Sequence, residues 1–493
     1  MFSNLGSQQK YSFIFWIALG GLLGFLQLQF DYFIVFLAGG TILFFLVFWA
    51  FPLLLSKLKH LWTCLNLWHW LWFLSLLSGL GFRIRDATSS SENPLDAWAL
   101  YRIFLVAIIG IIVIYQLTFK HVDWPSTLSR GPLGLLGLYS LFSLASTIWS
   151  VYPGWTLYKS IEYFIDLALL ACIVNQFRTY QQMKSLFDWT WLLLIGLLCT
   201  TWVGVLIWPT EALSLDVGSS GMQIKGVFPM ISSNNVGELS AIVASVFLTR
   251  YLYYSQNFSQ RKTIYLLIFG FGLLTLIASQ TRSAFGGFFV AIFLLLLVQK
   301  RFGIIFLSPL ILAIVLTLTP ATSILTDFFQ RGQSTEQVSS LTGRTIWWAG
   351  AWDAFLEQPF SGFGAYAAGR FLVLANQGFE KTASLHSTWM ELLVGLGIPG
   401  ILLVLGSVLW LWKILFFQAL SWNNQSAFTL LTTEAIVVFG VTSVRSIFES
   451  AFIWHPSLPF LLIVGYSEFL RRSKPSQNHE CPTHSQLLSA SRR

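Results

Sequence analysis

A chain of 493 residues that is 55% hydrophobic and only 10% charged, with 45 Phe and 22 Trp, carries more apolar surface than a water-soluble core can bury. Its apolar runs are continuous rather than alternating, which excludes a β-barrel and predicts an all-α, polytopic membrane helical bundle of about 12–14 transmembrane helices. The net charge of +8 is a topology signal and not a nucleic-acid footprint, and Cys64, Cys172, Cys199 and Cys481 offer neither a disulfide framework nor metal spacing.

In chain order, the first apolar stretch begins at Tyr11 and runs to full membrane length without a small-residue cleavage site, so it reads as a retained span. Spans are predicted at about 11–30, 33–55, 61–81, 97–118, 131–149, 157–175, 189–208, 232–254, 262–279, 284–298, 302–319, 389–412, 427–444 and 457–470. Lys57 and Lys59, Lys120 and Arg130, Arg178 and Lys184, Arg261 and Lys262, Lys300 and Arg301, and Lys413 mark every second connection and Arg471 and Arg472 follow the last span, which predicts both termini in the cytoplasm. The chain then divides into transmembrane helices over 1–319, an external loop with surface helices over 320–388, further transmembrane helices over 389–472 and a disordered cytoplasmic tail over 473–493.

Few charged residues interrupt this pattern. "LYKSIEYFIDLALL" sets Lys159, Glu162 and Asp166 at i, i+3 and i+7 on one face of a predicted span, where charge must face protein or a water-filled path. They form either a self-neutralised strut or part of a site. Glu238 lies near the outer end of its helix. "SQTRSAFGG" places Arg282 between two apolar runs on the outer side, and a guanidinium there suits a diphosphate because its fork pairs with phosphate oxygens; it could equally mark a turn and reach lipid headgroups.

The polar stretch from Pro320 to Leu385 is far longer than an ordinary helix connection, and loops of that length are functional or disordered. Its interior "TGRTIWWAGAWDAFLEQP" reads as a helix along the membrane surface, capped by Thr342, ended by Pro359 and striped by Trp348, Trp352 and Phe355. Arg344 sits in its first turn, where unpaired N–H groups favour an anion; the alternative is a salt bridge. His386 closes the loop at the water–lipid boundary, where an imidazole can take a proton from a lipid-borne acceptor or merely cap a helix. Glu391 follows five residues later, so on a regular helix it points away from that imidazole and is at most a supporting group. No Asp-x-Asp, Walker loop, G-x-S-x-G or H-E-x-x-H occurs, so an enzyme reading dispenses with metal, nucleotide and cofactor.

"SQTRSAFGG", "TGRTIWWAGAWDAFLEQPFSGFGAYAAGRF" and "HSTWMELLVGLGIPG", in that order around a long external loop, resemble the O-antigen ligase and polymerase family of bacterial envelope proteins. The resemblance covers about Gly226 to Gly400; "GVFPMISSNNVGELSA" is similar to the family's Pro-Asn-x-x-Gly segment, with Asn235 displaced from Pro229. It implies a GT-C-like, metal-independent, inverting glycosyltransferase of the bacterial inner membrane, acting at the periplasmic face on an undecaprenyl diphosphate-linked glycan and a lipid or glycan acceptor. His386 then matches the base that activates the acceptor hydroxyl, and Arg282 and Arg344 the arginines that hold the donor diphosphate. Membrane lipids are the remaining expected partners. Ligation to lipid A core, glycan polymerisation and O-oligosaccharyl transfer to protein differ only in the acceptor. A solute transporter for anions such as bicarbonate is the alternative of another class; inverted repeats and broken central helices would favour it, neither is apparent in the sequence, and the loop would be superfluous to it.

Overall fold

An α-helix rises 1.5 Å per residue, so about twenty apolar residues cross the hydrocarbon of a bilayer with every interior backbone group paired. The computed structural model describes residues 65–81, 97–214, 223–253, 259–307, 330, 343–379, 384–421 and 427–472. Its long helices are α1 (Leu67–Gly79), α2 (Ala97–Thr118), α3 (Gly131–Ala145), α4 (Pro153–Gln176), α5 (Tyr180–Ile207), α6 (Ser233–Tyr253), α7 (Ser259–Ser279), α8 (Arg282–Val298), α9 (Arg344–Glu357), α10 (Thr388–Ser421), α11 (Ala427–Phe448) and α12 (Leu458–Arg472). Among the described residues seven helices are long and apolar enough to cross a membrane, while α8 is a shorter apolar helix. The protein is an all-α, multi-pass membrane protein. The predicted spans at 11–30 and 33–55, most of 302–319, and the tail from 473 lie outside the described residues.

Local sequence sets several helix starts. Asn66 and His69 form a capping box on α1, Thr179 and Gln182 another on α5, and Pro132 and Pro153 occupy first-turn positions of α3 and α4, where a missing N–H costs nothing. Along α2, Leu100, Phe104, Ile111 and Ile114 are exposed at helical spacing, as on a face turned to lipid. The opposite faces interlock: α6 packs along α7, α8 against α11, and α10 against α3. The sheet content of the described residues is two antiparallel pairs of two-residue strands between α5 and α6, Leu213–Ser214 with Gln223–Ile224 and Gly226–Val227 with Met230–Ile231.

Buried charges of α5, α6 and α11 are paired with one another. Arg250 donates to both carboxylate oxygens of Glu434 at 2.7 and 3.0 Å and lies 2.7 Å from Asp188, while the Trp191 indole donates to Glu434 at 2.8 Å. An unpaired ion at such a depth would be expensive, which is why each is met by an opposite charge.

Two expectations are corrected. The cap position of α9 is Gly343, at φ +85°, one residue later than expected, and Thr342 lies outside the described residues. And α10 is broken, against the expectation of unbroken helices: Gly397 sits at φ +63°, ψ −151°, two residues before Pro399. Pro399 has no N–H for the carbonyl of Gly395, and the Gly397 turn diverts Ile398, whose N–H goes to Pro359 O at 2.8 Å. The freed carbonyls are taken by the loop: Phe363 N–H donates to Val394 O at 2.9 Å and Gly364 N–H to Gly395 O at 3.0 Å. "PFSGFG" thus supplies the hydrogen bonds that "GLGIPG" lacks. Gly362 and Gly364 allow this approach through positive φ, and a Cβ at Gly362 would collide with the backbone of Gly395.

Candidate active site

The loop is hydrogen-bonded to the break in α10, and the candidate residue His386 lies just before the start of that helix. Leu385 is fully buried, Trp348 of α9 donates its indole N–H to Leu385 O at 3.0 Å, and Glu391 accepts from Leu385 N–H at 2.7 Å. His386 follows in the left-handed region at φ +51°, a conformation that turns its side chain out of the helical path. Thr388 then ties the first turn of α10 to the end of α11, its N–H and hydroxyl donating to Glu449 O at 3.1 and 3.0 Å.

The Glu449 side chain faces the imidazole. His386 Nδ1 lies 2.9 Å from Glu449 Oε2. A carboxylate can only accept, so a neutral imidazole carries its proton on Nδ1 and presents the Nε2 lone pair. Among the described residues Nε2 has no hydrogen-bonding partner, and the side chain is 32% exposed. Trp347 flanks the ring with centroids 6.0 Å apart. An imidazole held in this way at Nδ1 could accept a proton at Nε2.

The other Glu449 oxygen has one amide donor and two guanidiniums around it. Asn234 Nδ2 donates to Oε1 at 3.2 Å, Arg344 Nη2 stands 3.7 Å away, and Arg445 Nη2 3.9 Å away. Burial alone would raise the Glu449 carboxyl, but the His386 hydrogen bond and the charges of His386, Arg445 and Arg344 outweigh it and hold it below the ordinary carboxylate range. Burial lowers the Arg344 guanidinium and nearby Arg445 adds to this, against the pull of Glu449. Arg344 is anchored by Nη1 donating to Phe448 O at 2.8 Å, which leaves Nη2 facing the site at the N-terminal end of α9.

Arg282 opens α8, with Nη2 donating to Gln330 O at 3.2 Å. Its neighbour Ser283 accepts from Arg445 Nη1 at 2.5 Å, and Arg445 Nε donates to Glu238 at 3.2 Å. Arg445 therefore joins α6 and α8 to the segment that carries Glu449. Glu238 is the counter-ion of Arg445, and Glu391 secures the backbone ahead of His386; neither touches the imidazole.

Lys159, Glu162 and Asp166 form a second cluster. Lys159 Nζ donates to Glu162 at 2.8 Å, and Arg102 grips both Glu162 oxygens at 2.5 and 2.8 Å. Asp166 takes His455 Nδ1 at 2.5 Å and the Ser75 hydroxyl at 2.9 Å, and His455 Nε2 meets Ser78 Oγ at 2.7 Å. None of these contacts involves His386, Glu449, Arg344 or Arg282.

Glu449, Arg445 and Asn234 are absent from the sequence-derived set. The only signal for the first two is "SVRSIFES", a cation and an acid four residues apart beyond the predicted end of a span; Asn234 is the neighbour of the asparagine that the resemblance singled out.

Residues 267–405 match the family model described as O-antigen ligase, a segment that runs from within α7 to the middle of α10 and contains Arg282, Arg344 and His386. No curated protein matches the chain.

Proposed function

We propose that this chain, a multi-pass membrane protein whose residues 267–405 belong to the O-antigen ligase family, transfers a glycan from an undecaprenyl diphosphate carrier to an acceptor hydroxyl, such as one of lipid A core, on the periplasmic face. The observation that carries the reading is His386, part-exposed and held at Nδ1 by one oxygen of Glu449, whose other oxygen has Arg344 3.7 Å away. The acceptor hydroxyl donates to Nε2, and its oxygen attacks the anomeric carbon of the donor. As that C–O bond forms, the bond from carbon to diphosphate oxygen breaks, and undecaprenyl diphosphate leaves with the electron pair. The hydroxyl proton ends on Nε2, and Glu449 stabilises the imidazolium across its Nδ1–H. Attack opposite the leaving group inverts the anomeric centre.

A diphosphate is already a good leaving group, so its departure needs charge and orientation more than acid. In this reading Arg282 and Arg344 supply both through forked hydrogen bonds, in the role that a divalent cation fills elsewhere. The broken α10 is a feature expected of transporters, yet its freed carbonyls accept from Phe363 and Gly364 and are thus engaged by the loop. Polymerisation or transfer to protein would use the same base and clamp with another acceptor.

The test is a reconstituted assay with purified protein in lipid nanodiscs, lipid-linked glycan and acceptor glycolipid. The parent protein should release undecaprenyl diphosphate only when acceptor is present, and Arg282→Lys and Arg344→Lys should each slow release at least about tenfold, because an ammonium cannot reproduce the fork. Absence of acceptor-dependent release would overturn the function; Lys variants at the parental rate would overturn the clamp.

A further inference from the structure

Arg445 is the least exposed of the site's cations, with a side chain 1% exposed. Two of its three nitrogens are committed, Nε to Glu238 and Nη1 to Ser283. Nη2 is buried and makes no hydrogen bond among the described residues; it points towards Glu449 Oε1 from 3.9 Å, too far to bond. A buried N–H group left unspent is costly and seldom persists without a use. The same oxygen has Arg344 Nη2 at 3.7 Å and one firm donor, Asn234 Nδ2 at 3.2 Å. Two guanidiniums therefore straddle a single carboxylate oxygen, and neither has closed on it.

The two are not equivalent. Arg344 is held by one carbonyl at the start of a surface helix and is 18% exposed, so it can swing to an incoming anion. Arg445 is tied on two sides, to α6 and to α8, and cannot leave. If Arg344 moves to the donor, Glu449 loses one of its two cations at the moment His386 needs a fixed, ionised partner.

We propose that Arg445 is a positioning residue of the transfer reaction: its free Nη2 closes on Glu449 when Arg344 engages the donor diphosphate, and so keeps the carboxylate ionised and aimed at His386. The inference rests on the reading of His386 as the base. Arg445 also tempers the field of Glu449 at the imidazole. The other charged groups about the pair are Arg344 on α9, Glu238 on α6, and Arg282 at the start of α8; Glu391 on α10 faces the Leu385 amide.

The measurement is the acid limb of kcat for transfer, which reports proton uptake by the base in the substrate-bound enzyme, the state in which Arg445 is to close on Glu449. In Arg445→Gln, Glu449 loses the cation that offsets it, so a protonated imidazole is favoured and the limb should move to higher pH by about one unit. Arg445→Lys restores a positive charge and should bring the limb part of the way back. Because Arg445→Gln leaves Glu238 without its partner, the double variant Arg445→Gln/Glu238→Gln removes cation and anion together; it too should shift the limb upward, by less. A merely structural Arg445 would lower the yield of folded protein and leave the limb where it is. A parental limb in either Gln-containing variant overturns the proposal while the transferase reading stands. A parent protein with no transfer sinks that reading, and the role of Arg445 falls with it.

Discussion

Two charged clusters of this protein each hold a histidine–acid pair and differ in what they leave unfinished. Around Glu162 and Asp166 nearly everything is closed: Lys159, Glu162, Asp166 and His455 are all at most 6% exposed, each carboxylate has two donors, and His455 is bonded through both nitrogens. Around Glu449 the chemistry is open. His386 is bonded through one nitrogen, a third of it is exposed, and two arginines stand just beyond bonding distance of the carboxylate. A histidine–acid pair is common to both, so the pair itself does not mark a reactive site. What differs is access to the second nitrogen, which is open at His386 and bonded at His455.

The comparison can be broken by exchanging the roles. His386→Gln keeps a hydrogen-bonding group but cannot accept and hold a proton, so turnover should fall by about 10²- to 10⁴-fold while donor binding, measured separately, stays near parental. Loss of binding together with turnover would move His386 into the diphosphate site instead.

Glu162→Gln should do the reverse. It leaves Lys159 and Arg102 sharing one neutral amide in a buried setting, where removal of one partner of an ion pair is strongly destabilising, on the order of 3–5 kcal/mol. The expected result is a lower thermal midpoint and lower yield, with turnover per folded molecule within about twofold of the parent. A Glu162→Gln protein of parental stability that no longer transfers glycan would make the closed cluster the reactive one.

How much of this was legible in the sequence follows from what each interaction depends on. The spans were readable because hydropathy is a local property, and α2, α6 and α11 lie where continuous apolar runs placed them. The spacing of Lys159, Glu162 and Asp166 announced a charged face, but their partners Arg102, Ser75 and His455 come from elements far along the chain, and no periodicity reports that. The same applies to Glu449, 63 residues after His386. The break in α10 had a local signal, Gly397 and Pro399 in "GLGIPG", which the apolar residues around it masked. What could not be read at all is that "PFSGFG" supplies the hydrogen bonds missing from that break, since the pairing exists only once the loop has folded onto the helix.

The central claim is that Glu449 acts through His386, and a double-mutant cycle tests it most directly. Glu449→Gln alone should slow transfer, because the imidazole loses the group that fixes its tautomer and supports its charge. In a His386→Gln background the same change should cost nothing further, so the double variant transfers glycan at the rate of His386→Gln. If instead the two losses multiply, Glu449 contributes by a route that does not pass through the imidazole, and the assignment of His386 as a carboxylate-oriented base is wrong.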